Sequence, residues 1–287
     1  MRRAGVPFLL SRQSALCYAS RMPTIRQLTV ESLAHLAAQG QGRTVVDDEA
    51  RGILRGWMLH PRQAAQGAPA PQKAGAGAMT VEQKLAYLRG RAADWKPARA
   101  LGTLREKMVF SVGNPHARFM LVGEAPGYDE ERLGEPFVGR AGQKLNQVLA
   151  AMGLKREEVY ISNICKWRPD MGAGQGISNR PPTPGEIAAC VKIVLAEIRA
   201  IAPRCIMCLG GTAGNGLLGL QGASVGSLRG KWHECQGIPV RVTYHPSYLL
   251  RNESLSARRA VWEDMLAAME VLGMPVSERQ RNYFLQP

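Results

Sequence analysis

The 287-residue chain has no apolar run approaching the ~20 residues that a bilayer-spanning helix requires, which argues against a helical membrane span. It lacks the G-x-G-x-x-G fingerprint of dinucleotide sites. It also lacks the lysine signature of a P-loop, so an ATPase reading is poor. Acid is scarce: 23 Asp and Glu face 37 Lys and Arg, leaving a formal charge of +14. That balance favours a polyanionic partner, nucleic acid before membrane. The excess is spread out, because residues 1–79 hold ten basic and four acidic side chains, a charge of +6, and the remainder therefore carries +8. Six cysteines occur, irregularly spaced, with none between Cys17 and Cys165. No disulfide framework follows from such spacing. Cys205 and Cys208 form a C-x-x-C, but they lie in the apolar run Cys205-Ile206-Met207-Cys208-Leu209. Strand alternation puts them on opposite faces, so they read as small core residues in a reducing compartment. No internal repeat is visible.

What is present divides at about residue 79. The first thirty residues are basic and contain no acid before Glu31. They read either as a transit-like segment or as an extension ahead of an alternative start at Met22, the latter being the expectation. Short amphipathic helices are expected over 25–39 and 45–64. Residues 66–79, rich in Ala, Gly and Pro, are expected to form a flexible linker. A domain is expected over 80–275, with a tail over 276–287. Thr80, followed by Glu82 and Gln83, opens a helix running to about residue 93. Candidate strands are 107–111, 118–123, 158–163, 204–209 and 239–243. Candidate helices are 140–153, 184–202, 211–219 and 256–272. Thr183-Pro184-Gly185-Glu186 is a capping box with proline at the first helical position. Alternating strands and helices imply an α/β fold with a parallel sheet covered on both faces.

Three stretches at predicted strand ends carry chemistry, and such ends are where α/β sheets bind ligands. The first, Gly123 to Gly142, reads GEAPGYDEERLGEPFVGRAG and holds five glycines, five carboxylates and a single phenylalanine. Phe137 is either a lid anchor over the core or a stacking platform for a flat ligand such as a base. The second runs from Tyr160 to Pro169. Its Asn163 offers a donor and an acceptor at a strand end, suited to a pyrimidine edge, unless it is a turn former. Lys166 and Arg168 straddle Trp167 and suggest a phosphate-facing strip. Residues Asp170 to Ser178 look like a flexible surface insertion. The third is Tyr244-His245-Pro246-Ser247-Tyr248-Leu249-Leu250-Arg251. Its histidine is placed to donate to a ligand oxygen that gains charge. Ser247 and Arg251 suit phosphates, and Leu249 or Leu250 suits a wedge in a base stack.

Together these stretches resemble the uracil-DNA glycosylase superfamily, family 4 above all. The matching motifs are Gly123 to Gly142, Asn163 with Lys166, Arg168 and Pro169, the run Asn179 to Thr183, and His245 to Ser247. The resemblance covers about Val109 to Leu272. It implies a three-layer α/β/α sandwich around a four-stranded parallel sheet, and removal of uracil from DNA, single- or double-stranded, by a cytoplasmic monomer. It further implies that Phe137 stacks on a flipped uracil, Asn163 reads its polar edge and His245 binds the oxygen that becomes anionic. Glu124 is the candidate that stabilises the sugar cation or orients water. Gly123, Ala125, Gly127 and Glu130 would line the base pocket, with Glu130 in support. Lys166, Arg168, Ser247, Leu249, Leu250 and Arg251 would face DNA.

Two departures stand out. Family 4 members hold an iron–sulfur cluster on four cysteines. Here the cysteine place of K-C-R-P is Trp167 and only Cys190 matches, with Cys165 two residues away, so no cluster and no metal are expected. A related branch traps DNA covalently through a histidine in a basic loop at the place of Asp170–Ser178. This insertion contains neither histidine nor a basic residue, so ordinary turnover with water is expected. The alternative is a non-catalytic DNA-binding accessory module on the same fold. A nucleotide-binding protein acting on free nucleotides would need a phosphate signature that is missing.

Overall fold

The computed structural model describes residues 79–285. The helices expected over 25–39 and 45–64, and nearly all of the 66–79 linker, lie outside them. Helix α1 (Val81–Ala93) begins at Thr80, whose hydroxyl accepts from the Gln83 N–H while the Gln83 side chain returns to the Thr80 N–H. There follow in chain order α2 (Lys96–Arg99), β1 (Leu104–Met108), β2 (Ser111–Gly113), β3 (Phe119–Gly123), α3 (Tyr128–Leu133), α4 (Arg140–Met152), β4 (Tyr160–Asn163) and β5 (Trp167–Pro169). The second half is α5 (Pro184–Ile201), β6 (Cys205–Leu209), α6 (Gly211–Leu218), α7 (Val225–Leu228), β7 (Trp232–Cys235), β8 (Ile238–Thr243), α8 (Pro246–Arg251), α9 (Leu255–Leu272) and α10 (Glu278–Arg281).

The main sheet runs β2-β4-β3-β6-β8-β7. Its inner four strands are parallel, and β2 and β7 add antiparallel edges. The expected four parallel strands are therefore the centre of a six-stranded mixed sheet. The edges escape a sequence reading for physical reasons: β2 has three residues, and β7 reads Trp-His-Glu-Cys with only Cys235 buried. The single strand expected over 107–111 is divided between β1 and β2, and β1 pairs with β5 in a separate two-stranded ribbon.

Alternating side chains of the sheet feed two cores. Met120, Val122, Ile206, Cys208, Val240 and Val242 pack with Ile193, Val194 and Ile198 of α5 and with Ala213 and Leu217 of α6. Leu121, Ile161, Cys205, Met207 and Leu209 pack on the other face with Leu145 and Leu149 of α4 and with Val261, Met265 and Met269 of α9. The result is a three-layer α/β/α arrangement, with Cys205 and Cys208 on opposite faces as alternation requires. Residues 276–285, expected as a tail, fold back on α9. The Trp262 indole donates to the Gln280 carbonyl, Arg259 to those of Arg281 and Tyr283, and Gln280 to that of Ala151. Among the described residues no helix is long and apolar enough to cross a membrane.

Candidate active site

The parallel strands β3, β4, β6 and β8 end at Gly123, Asn163, Leu209 and Thr243, and the segments that follow them enclose a cavity of about 590 Å³. All three stretches singled out in the sequence meet there. Glu124, Ala125, Gly127, Glu130 and Phe137 come from the first, Asn163 from the second, and His245, Ser247 and Arg251 from the third. Gly123 lies beneath the cavity, where a Cβ would strike both the Asn163 Oδ1 and the Phe137 ring. Its missing side chain is what lets those two groups converge.

The first loop is tied by one carboxylate. Glu130 Oε1 accepts from the N–H groups of Val138 (3.0 Å) and Gly139 (2.9 Å), and Oε2 accepts from Gly127 (3.1 Å). This tie spans the segment that carries Phe137, whose φ of 55° lies in the left-handed region that a bulky residue rarely occupies. Gly142 makes the bend possible, because a Cβ there would collide with the Phe137 carbonyl. The Phe137 ring packs with Leu145, Leu149 and Leu249, yet it also lines the cavity, its centroid 5.7 Å from that of His245. Core anchor and cavity wall, alternatives in the sequence, are one side chain in the structure.

The five carboxylates of the loop separate by environment. Glu131 pairs with Arg105 and Arg168, Glu135 with Arg156, and Asp129 lies 3.9 Å from Arg132. Glu130 is spent on backbone. Glu124 is left facing the cavity, and burial raises its pKa above the ordinary carboxylate value of 4.5, partly offset by a hydrogen bond with Thr212.

Asn163 is 1 % exposed, and its Oδ1 is buried without a hydrogen-bond partner. Leaving such an acceptor unmet costs about 1–3 kcal/mol; Trp167 Nε1 and Thr243 Oγ1 are also buried without a partner, but of the three residues Asn163 is the one that lines the cavity. The Ser247 backbone N–H donates to His245 Nδ1 (3.2 Å), with the Ser247 hydroxyl 2.7 Å from the same nitrogen. An N–H can only donate, so Nδ1 is the acceptor and the imidazole proton sits on Nε2. Burial, and then the nearby charge of Arg251, push the His245 pKa down to about 4. The ring is therefore neutral at physiological pH and remains a hydrogen-bond donor.

Several residues expected to face DNA do not. Lys166 is fully buried, ion-paired with Glu197 at 2.5 Å and hydrogen-bonded to Ser162. Glu197 also accepts from Tyr160 and Ser162. Arg168 is 2 % exposed and holds Glu131, Asn179 and two backbone carbonyls. β5 pairs with β1 beside the core, so alternation there turns no side chain outward. Leu249 is also buried, among Phe137 and the α4 side chains, whereas Leu250 is half-buried and Arg251 exposed on the rim. Ser247 is committed to His245 rather than to phosphate. The cavity also takes in Asn179, Tyr244 and Tyr248, whose rings stack at 4.5 Å between centroids. These three lay inside the quoted motifs, but nothing in their order marked them. Thr212 gave no sequence signal beyond its place after β6.

Among the described residues the cysteines do not assemble a four-thiolate set. At the K-C-R-P cysteine place Trp167 is fully buried, with the Arg99 guanidinium over its ring at 5.1 Å. Cys165 and Cys190 lie in one core cluster, while Cys205 lies in the core on the other face of the sheet. Among the described residues no three His, Cys, Asp or Glu side chains gather as a metal site requires.

Comparison with known proteins agrees with this geometry. Residues 110–266 match the model of the family described as the uracil DNA glycosylase superfamily. A type-4 uracil-DNA glycosylase of Thermotoga maritima is 43% identical over 164 residues, 56% of this chain and 81% of that protein. Type-4 uracil-DNA glycosylases of Archaeoglobus fulgidus and Pyrobaculum aerophilum are 41% and 35% identical, over 51% and 53% of this chain and 74% and 77% of theirs. With a strand-end cavity walled by Glu124, Phe137, Asn163 and His245, and a family match over more than half its length, the chain belongs to the uracil-DNA glycosylase superfamily.

Proposed function

We propose that this protein extrudes uracil from DNA and hydrolyses its N-glycosidic bond, the first step of base excision repair, leaving an abasic site. The observation that carries the reading is a cavity lined together by Asn163, whose buried Oδ1 has no partner, by a neutral His245 and by Phe137. Uracil supplies what those groups lack. Its ring N–H satisfies the Asn163 oxygen, its carbonyl takes the His245 Nε2 proton as a hydrogen bond, and its flat face lies on Phe137. Cytosine has no N–H at that ring position and would leave Oδ1 unpaired.

As the bond between the sugar C1′ and the base N1 breaks, its electron pair passes to the base. The His245 N–H then meets an oxygen gaining negative charge, an interaction stronger in the transition state than before it. The sugar becomes positive, and the Glu124 carboxylate stabilises it and orients a water whose oxygen bonds to C1′. The water proton leaves by way of Glu124 to solvent, the uracil anion takes up a proton from solvent, and uracil and an abasic site are the products. Arg251, on the cavity rim, is the DNA-facing side chain of the third stretch, with the half-buried Leu250 beside it in sequence. Lys166 and Arg168 act within the fold.

Uracil-containing oligonucleotides, single- and double-stranded, followed by alkaline cleavage of abasic sites, test the reading. Strand scission is expected with the wild type and is lost in His245→Ala and Asn163→Ala. DNA binding without scission on either substrate would instead leave the accessory-module reading.

A further inference from the structure

Residues 170–178 are not a loose insertion. The buried Arg168 donates from Nη2 to the carbonyls of Gly176 (2.8 Å) and Ser178 (2.6 Å), the residues on either side of Ile177. Its Nε holds Asn179 Oδ1 at 2.9 Å. Gln175, itself 8 % exposed, accepts from the Met171 N–H and donates to the Pro169 and Ser178 carbonyls. Between these clamps Ile177 stands 75 % exposed, more than any other large apolar side chain among the described residues. A scattered exposed isoleucine is ordinary. One held out in water by a buried guanidinium that grips both its neighbours is not, because the same bonds would serve a polar tip without exposing apolar surface.

Its position says what covers it. Asn179, two residues on, lines the cavity, and the other arm of Arg168 holds Glu131 in α3, next to the Glu130 that ties the Phe137 loop. The loop follows β4 and β5, whereas Leu250 and Arg251 follow β8. Asn179 at the end of this loop and Arg251 after β8 both line the cavity, so the two segments border one mouth. A DNA strand delivering one nucleotide into the cavity crosses the mouth between them. Flipping a base uncovers the faces of its neighbours, and an apolar side chain covers such a face well.

We propose that Ile177 is a DNA-contacting residue that packs against the base or sugar beside the extruded nucleotide. This rests on the uracil-DNA reading above. The test is Ile177→Ala, with Ile177→Leu as the conservative variant, on duplex and single-stranded uracil DNA carrying 2-aminopurine next to the uracil. Ile177→Ala should weaken duplex binding by roughly 5- to 20-fold, the factor for a partly buried side chain of this size. It should lower the 2-aminopurine rise that reports unstacking, change single-strand turnover by less than about twofold, and leave the melting temperature unchanged; Ile177→Leu should restore the duplex values. Equal duplex affinity and equal 2-aminopurine signal in Ile177→Ala and wild type would overturn the proposal and leave the side chain to some other partner. Loss on every substrate together with a lowered melting temperature would overturn it too, as a purely structural effect. Should the wild type release no uracil from any substrate, the parent reading fails, and duplex affinity alone still decides the role of Ile177.

Discussion

Asn163 and Lys166 are three residues apart, both buried and both polar, and their surroundings are opposite. Every polar partner of Lys166 is inside the protein: Glu197 neutralises it, Ser162 accepts from it, and the Phe110 ring lies 5.2 Å away. The oxygen of Asn163 has no partner at all. Burying a charge demands complete pairing, so the saturated group belongs to the fold. An unmet acceptor costs stability and calls for a specific explanation, and that of Asn163 belongs to a residue lining the cavity. One strand end thus contains a residue whose hydrogen bonding is complete on folding and another whose oxygen is left without a partner at the cavity. Residue type does not separate them, since a lysine near a DNA site invites the opposite assignment.

The sharpest way to break this comparison is to remove one partner of the saturated pair. Glu197→Ala or Lys166→Ala leaves an uncompensated buried charge and should cost about 3–5 kcal/mol of stability, read by denaturant unfolding. The molecules that remain folded should still release uracil at close to the wild-type rate. An activity loss with unchanged stability would return Lys166 to the DNA interface.

Next in size, Asn163→Ala and His245→Ala should each slow uracil release by about 10²–10³-fold, the range for removing one well-placed polar group from a transition state. Neither should lower stability by the amount seen for Glu197→Ala, and Asn163→Ala removes an unpaired acceptor that the fold was carrying. Single-turnover rates together with unfolding curves check both halves. If Asn163→Ala destabilised as strongly as Glu197→Ala, the contrast between the two residues would vanish.

The same contrast explains what was legible in the chain. The three-layer fold followed from the apolar runs of β3, β4, β6 and β8 and from the Thr183 capping box, because local pattern and tertiary burial agree there. Asn163, His245 and Phe137 stood out as unusual residues at strand ends, where α/β sheets bind ligands, whereas Glu124 was singled out among five loop carboxylates only through the family resemblance. The Lys166–Glu197 pair was not, since its partners are 31 residues apart and no local pattern joins them. Arg168 likewise looks like a surface cation until its carbonyl partners at Gly176 and Ser178 are seen, and without them residues 170–178 look loose. The edge strands β2 and β7 are too short or too exposed to show a period. Ser247 lay within its motif, but its task of fixing the His245 tautomer is a matter of hydrogen-bond direction, which sequence does not display.

The smallest expected effects concern pH, and they sharpen the comparison because Glu124 and His245 are both titratable cavity residues whose charged forms burial disfavours. Glu124 has a folded pKa raised above 4.5 by burial. The folded state therefore binds its proton more tightly than the unfolded chain does, and stability falls as pH rises through the raised value. His245 is shifted the other way, from 6.5 to about 4. Between those two values the unfolded chain binds a proton that the folded one refuses, so stability falls as pH falls through that window. Glu124→Gln should accordingly raise the melting temperature at pH 7, with the gain shrinking toward pH 4, while His245→Asn should flatten the decline between pH 6.5 and 4. In turnover the two groups act on the same side. The acid limb of kcat/KM should follow the ionisation of Glu124, since His245 is still neutral there, and in Glu124→Gln the slower residual activity should hold level until His245 charges near pH 4. Melting temperatures and kcat/KM measured across pH 4 to 8 decide it, and an acid limb unchanged in Glu124→Gln would move the task of handling water to another group.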